Sequence, residues 1–274
     1  MLPGKSGGRL RILNRTVLVA VFLVMIARPS TVIQAAGGQR QLDQGVIARA
    51  LLGQDKQVRN RAFEAVLAIV PADIGPELRT ALITLLERSN QIPSEARRRG
   101  VAVSTLDDPE FISSVSRFVA DLRDPRAIPA LAEATYGWVT VMRSLAAFGE
   151  QAAPAVLRIV TSPDSHYELQ EHGLITLRFM IERADVNPLS PATVEQIRLA
   201  AEQHLTGKPY FTTLWHAMDL AFALRDPNLR RIIESLASNR NAIIARGVDD
   251  PKVIELTQKR AADRLAGVLP VPRP

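Results

Sequence analysis

The chain has no cysteine among its 274 residues. That excludes disulfides, thiolate metal sites and thiol nucleophiles at once. Aromatic residues make up only 5% of a chain that is 47% hydrophobic. Such a balance suits Leu, Ala and Val helices packed on one another better than a sheet rich in aromatic and β-branched side chains. No Asn-Gly or Asp-Gly pair is present to close a hairpin, and no apolar/polar alternation is sustained. A Gly-x-Ser-x-Gly elbow and a phosphate-binding glycine-rich loop are also missing; the glycines are scattered at helix ends. The sequence therefore names no catalytic centre, and no cofactor is expected.

Acidic residues are absent from positions 1–36, which carry Lys5, Arg9, Arg11, Arg15 and Arg28. Without those five, 29 Lys+Arg face 28 Asp+Glu, and a net charge of +6 becomes +1. A surface so close to neutral gives no electrostatic footprint for nucleic acid, whose binding rests on phosphate neutralisation. The basic residues up to Arg15 lead into the apolar run Val17–Ala27, then Arg28-Pro29, then the small-residue end Ala35-Ala36-Gly37-Gly38. This is the three-part layout of a signal peptide over 1–36. Eleven apolar residues in a helix cover about 16 Å, well short of a hydrocarbon core about 30 Å thick. Cleavage after Ala35 or Ala36 is therefore expected, with a periplasmic or secreted product and no stable membrane insertion afterwards.

What remains reads as helix after helix with a period near 3.6. Asp43 to Leu52 forms a first short helix stopped by Gly53. Asp55 caps a second, with Val58, Ala62, Val66 and Ile69 on the apolar stripe and Arg59, Asn60 and Glu64 facing away. Helices are predicted at Pro76 to Arg88 and Pro93 to Val103; the Arg97-Arg98-Arg99 run reads as a solvated face. Phe111, Val115, Phe118, Val119 and Leu122 form the cleanest stripe. Further helices are expected at Pro125 to Ala134, Val139 to Phe148, Ala153 to Val160, Ser165 to Arg183, Pro191 to His204, Phe211 to Leu224, Pro227 to Ala237 and Pro251 to Leu265. Asp108-Pro109, Asp124-Pro125, Asp226-Pro227 and Asp250-Pro251 stand directly before apolar stripes. Asp accepts a first-turn N–H, while Pro at the first helical position gives up an N–H that had no partner. The end, Leu269 to Pro274, is proline-rich, so 267–274 is expected to be an extended tail.

Residues Leu122-Arg123-Asp124-Pro125 and the helix start to Leu131 resemble the opening of a HEAT-like repeat of the type first named for phycobilin lyases. Leu145 to Leu157, with its Gly149-Glu150 turn, resembles the second helix of such a repeat and the start of the next. Asp55 to Leu67 is similar to a HEAT second helix, and Leu224-Arg225-Asp226-Pro227 repeats the opening motif. The resemblance is carried by residues 45–70 and 119–160 and is fainter over 165–265. It implies an all-α fold over 39–266: a right-handed α-solenoid of stacked antiparallel helix pairs. A unit of about 40 residues cannot bury its own apolar face, and the processed chain has room for about five or six.

The resemblance implies architecture far more than activity. The leading expectation is an exported, non-catalytic scaffold that binds a protein or peptide. The aromatics Tyr136, Trp138, Tyr210 and Trp215 are the candidate contacts, because Trp and Tyr anchor interfaces disproportionately; Trp215 beside Leu214 and Met218 also reads as inter-repeat packing. One alternative is a metal-assisted hydrolase around His166, Glu168 and His172, or a lyase-like enzyme. However, the two histidines are six apart, unlike the His-Glu-x-x-His helix of zinc proteases. Some HEAT-like proteins are di-iron hydroxylases with His-Glu pairs, and none of the four histidines here is followed by Glu. The other alternative is a structural subunit of a cell-envelope assembly. Mass spectrometry of the exported product should find an N-terminus at Ala36 or Gly37; an intact Met1 on a cytosolic protein would contradict the assignment.

Overall fold

The computed structural model describes residues 43–98, 108–134 and 138–268, so the segment 1–36 expected to be a signal peptide and most of the expected tail, 267–274, fall outside the described residues. Helix starts follow the carboxylates. Asp43, Asp55, Asp108, Asp226 and Asp250 each accept, through the side chain, the N–H two residues on, at 2.7–2.9 Å. Asp124 does the same at 3.0 Å for a 3-10 turn, Pro125–Ala127. Thirteen α-helices and no strand occur among the described residues. They are α1 Gln44–Leu51, α2 Lys56–Leu67, α3 Pro76–Arg98, α4 Pro109–Asp121, α5 Ile128–Ala132, α6 Trp138–Ala146 and α7 Ala153–Thr161. Then follow α8 Tyr167–Glu182, α9 Pro191–Thr206, α10 Phe211–Leu224, α11 Pro227–Ser238, α12 Arg240–Ile244 and α13 Pro251–Leu265.

The helices pack as two rows. In one, α1, α3, α5, α7, α9 and α11 contact each other in turn; in the other, α4, α6, α8, α10 and α13 do so. Phe63 of α2 joins the second row, edge-on to Phe111 and Phe118 of α4 at 5.5 and 5.9 Å. Rungs α1–α2, α3–α4, α5–α6, α7–α8, α9–α10 and α11–α13 tie row to row. Several polar side chains reach along the rows by a similar stride. Asn90 Nδ2 donates to Ala130 O, Asn187 Nδ2 to Ala147 O and Trp215 Nε1 to Thr257 Oγ1; His204 Nε2 meets Val160 O. The residue separations are 40, 40, 42 and 44. Each bond therefore reaches one helix pair along the chain.

Several predicted details change. Val58 faces solvent at 43% exposure, whereas Arg59 is 8% exposed. The reason is electrostatic: Arg59 Nη1 donates to the carbonyls of Gly53 and Gln54, at 3.0 and 2.8 Å, just past the C-terminal end of α1. The two helices expected either side of Gln91 are one: α3 runs through Pro93, and buried Asn90 pins this stretch to α5. The expected helix at Pro125 is split into the 3-10 turn and α5. In both Leu-Arg-Asp-Pro motifs the arginine is left-handed, with φ 52° at Arg123 and 55° at Arg225. It turns the chain out of one helix so that the following Asp and Pro can open the next.

Two glycines are fixed by close approach. Gly149 has φ +55°, and a Cβ there would stand 2.3 Å from Asn187 Nδ2. Gly173, in the middle of α8, would put a Cβ 2.4 Å from Val160 Cγ2 of α7. Gly173→Ala should lower stability by about 1–3 kcal/mol from overpacking, despite a helix-propensity gain of about 1 kcal/mol. Val160→Ala in the same chain should restore part of the loss. Urea unfolding checks both; a Gly173→Ala midpoint at or above wild type would show that α7 and α8 are not packed this closely.

Candidate functional site

Two side-chain constellations stand out on the second row of helices. The first is a run of rings where α8 and α10 begin. His166 caps α8, its Nδ1 accepting the Glu168 N–H at 3.4 Å. Its ring is 4.3 Å from Tyr167, which is 4.3 Å from Tyr210, which is 4.6 Å from Phe211; Phe211 meets Trp215 edge-on at 5.2 Å. Tyr210 precedes α10 with no side-chain cap of its own and is 48% exposed. At the other end Trp215 is tethered, its Nε1 donating to buried Thr257 at 2.8 Å and its ring lying 5.4 Å from the Arg260 guanidinium.

The second constellation surrounds Asp219, the one acid in α10. A buried carboxylate is tolerated only when paired and hydrogen-bonded. Arg264, itself buried, donates from Nε to one oxygen at 2.5 Å; Arg260 donates to the other at 2.6 Å. A third guanidinium, Arg178 on α8, stands 3.7 Å from the same carboxylate, and His216 Nδ1 is 3.9 Å from it. Desolvation pushes the His216 imidazole down to about 4; Asp219 opposes this, and the charges of Arg260 and Arg178 add to it. His204, buried between α9 and α7, is likewise pushed down by desolvation. Glu171 moves the other way, its carboxyl raised chiefly by desolvation although Thr212 and Thr213 donate to it.

These placements sort the residues singled out from sequence. Tyr210 and Trp215 come together in the ring run, one open to solvent and the other locked between α10 and α13. Tyr136 falls outside the described residues, and of Trp138 only its place as the first residue of α6 is described. His166 and Glu168 are 3.8 Å apart, while His172 lies further along α8 and lines a small cavity with Thr176, Val156 and Ile159. Among the described residues no group of three His, Cys, Asp or Glu side chains is placed to hold a metal. The Asp219 cluster escaped the sequence reading. Its trace was a lone carboxylate inside the apolar helix Phe211 to Leu224, which could not be buried without a cation to meet it.

Chemically, the region presents rings and guanidinium groups, suited to holding a partner. Its pH response follows chiefly from the two depressed histidines, with the raised carboxyl of Glu171 opposing them at the acid end. Below their ordinary value near 6.5 the unfolded chain takes up protons that the folded chain refuses, so stability falls as pH drops from about 6.5 towards about 4. The urea midpoint should be flat from about pH 8 to 7 and then decline; His216→Gln should flatten part of the decline. An unchanged slope in that variant would remove His216 from the account.

Comparison of the chain with protein-family profiles, with curated proteins and with solved structures gives no match.

Proposed function

We propose that this chain is an exported, non-catalytic scaffold that binds a protein or peptide through the surface of a HEAT-like solenoid. The solenoid reading is supported by the two rows of helices and by side-chain bonds that step 40 to 44 residues at a time. That stride is the length of one helix pair in such repeats, about 40 residues. Export rests on the basic, apolar and small-residue layout of positions 1–36.

The observation that carries the binding reading is Tyr210. It is a large ring, 48% exposed, at the open end of a continuous aromatic run that crosses from α8 to α10. Rings backed by other rings present contact area at small entropic cost, since a tyrosine has few torsions to freeze. Its neighbours Tyr167 and Phe211 are already ordered, so the surface needs little rearrangement to receive a partner.

The full chain, immobilised, should retain a partner from the extracytoplasmic fraction. Tyr210→Ala should reduce the amount retained by about tenfold or more, the scale of an anchor residue. Val186→Ala, at a 76% exposed position distant in sequence, should leave it unchanged. Equal retention by all three chains would remove the aromatic run from the binding surface.

A further inference from the structure

The guanidinium groups of the second row do not end at Asp219. Arg143 on α6 and Arg178 on α8 both stand over the Phe179 ring, at 5.5 and 4.9 Å. Arg178 then faces Asp219 on α10, Asp219 is bound by Arg260 on α13, and Arg260 stands over Trp215. A continuous stripe of guanidinium groups therefore crosses four successively packed helices, backed by Phe179 and Trp215 and interrupted by Asp219. Its charges do not balance. Among the described residues, the ion pairs of Arg178, Arg260 and Arg264 run to Asp219 and Glu182, and Arg143 adds a further positive charge.

The imbalance is local, because the chain beyond residue 36 is almost neutral. Both Asp219 oxygens are already taken, by Arg264 and by Arg260. Arg178, at 3.7 Å, is left outside hydrogen-bonding range of that carboxylate, and its Nε makes no hydrogen bond despite Glu182 at 3.2 Å. Arg260 Nε is also without a partner. Guanidinium groups grip carboxylates in their own plane and stack on rings with their faces. Here the stacking is already done by Phe179 and Trp215, and both unpaired Nε atoms are buried, so a partner meets the part of each side chain that stays exposed, 18% of Arg178 and 26% of Arg260, together with the surplus positive charge.

We infer that this stripe takes an extended acidic segment of the protein partner, its carboxylates meeting Arg143, Arg178 and Arg260 in turn. The inference rests on the proposed scaffold function and names the chemistry of what is bound. A single-stranded nucleic acid fits less well, because guanidinium groups already occupy positions over Phe179 and Trp215 where bases would stack.

The test is fluorescence anisotropy of the full chain with labelled decaglutamate, a serine-glycine decamer and decathymidylate. Decaglutamate should bind, the neutral decamer should not, and raising salt to about 0.3 M should weaken binding about tenfold. Arg143 is exposed, so Arg143→Gln should fold normally and weaken binding about threefold; adding Arg178→Gln should bring the loss to about tenfold. Lys259→Gln, which removes the same charge from an exposed pair with Asp263, should stay within about twofold. No binding of decaglutamate, or an equal loss in the Lys259 variant, would overturn the inference. Tighter binding of decathymidylate, lost in the same arginine variants, would also overturn it and assign the stripe to nucleic acid. Partner retention that depends on Tyr210 while decaglutamate is ignored would sink this inference alone. The converse result would sink the aromatic surface and leave the stripe standing.

Discussion

Among the described residues, helices bury apolar side chains against alternate helices as well as against their sequence neighbours, and one core runs through them. Leu174 and Leu177 of α8, Ile197 of α9 and Leu214 and Met218 of α10 are fully buried in this way, packed among helices of both rows. A buried side chain of that size contributes about 1.5–3 kcal/mol, against about 1 kcal/mol net for a typical hydrogen bond. Dozens of such residues form one core, so burial sets the stability. The few long-range polar bonds do something different. By joining each side chain to a carbonyl or hydroxyl one pair along, they fix which residue meets which. Gly173 serves the same end from the apolar side, letting α7 and α8 approach until Val160 fills the space a methyl would need.

The Asp219 cluster joins stability to surface chemistry. A buried ion pair is a weak source of net stability, because desolvation offsets most of the attraction, but breaking it by removing one partner is costly. Asp219 consequently holds α10 to α13 through Arg260 and Arg264, and to a lesser degree faces α8 through Arg178. The same arrangement gathers more positive charge than one carboxylate neutralises. The register of the helices and the electrostatic character of the row are thus set by one set of residues.

Much of the helical plan was legible in the sequence, because caps and stops act locally. The Asp-Pro starts at 108, 226 and 250 open α4, α11 and α13, and Gly149 ends the stretch that begins with α6. Legibility fails where the deciding partner lies outside the helix being read. Val58 and Arg59 are adjacent, and only the carbonyls left over at the end of α1 determine which turns inward. The left-handed arginines Arg123 and Arg225 carry no local sign, since glycine or asparagine would be the usual choice. Pro93 reads as the start of a separate helix and instead lies inside α3. At the candidate site, Trp215 beside Leu214 and Met218 already read as packing, but what tethers it did not. Thr257 and Arg260, which tether Trp215, lie more than 40 residues further on. The Asp219 cluster was hidden by the same distance.

The similar stride of the long-range bonds has a kinetic side. Among the described residues, the helices with substantial contacts lie within about one pair of each other along the chain. Loop-closure entropy is therefore charged in small, similar instalments, and topologies of that kind assemble quickly for their size. A chain delivered from one end, such as one emerging through a narrow pore, could complete each rung as soon as the following forty or so residues arrive. Assembly would then proceed as a travelling front rather than a single collapse, and the most exposed unfinished surface at any moment would be one helix pair wide.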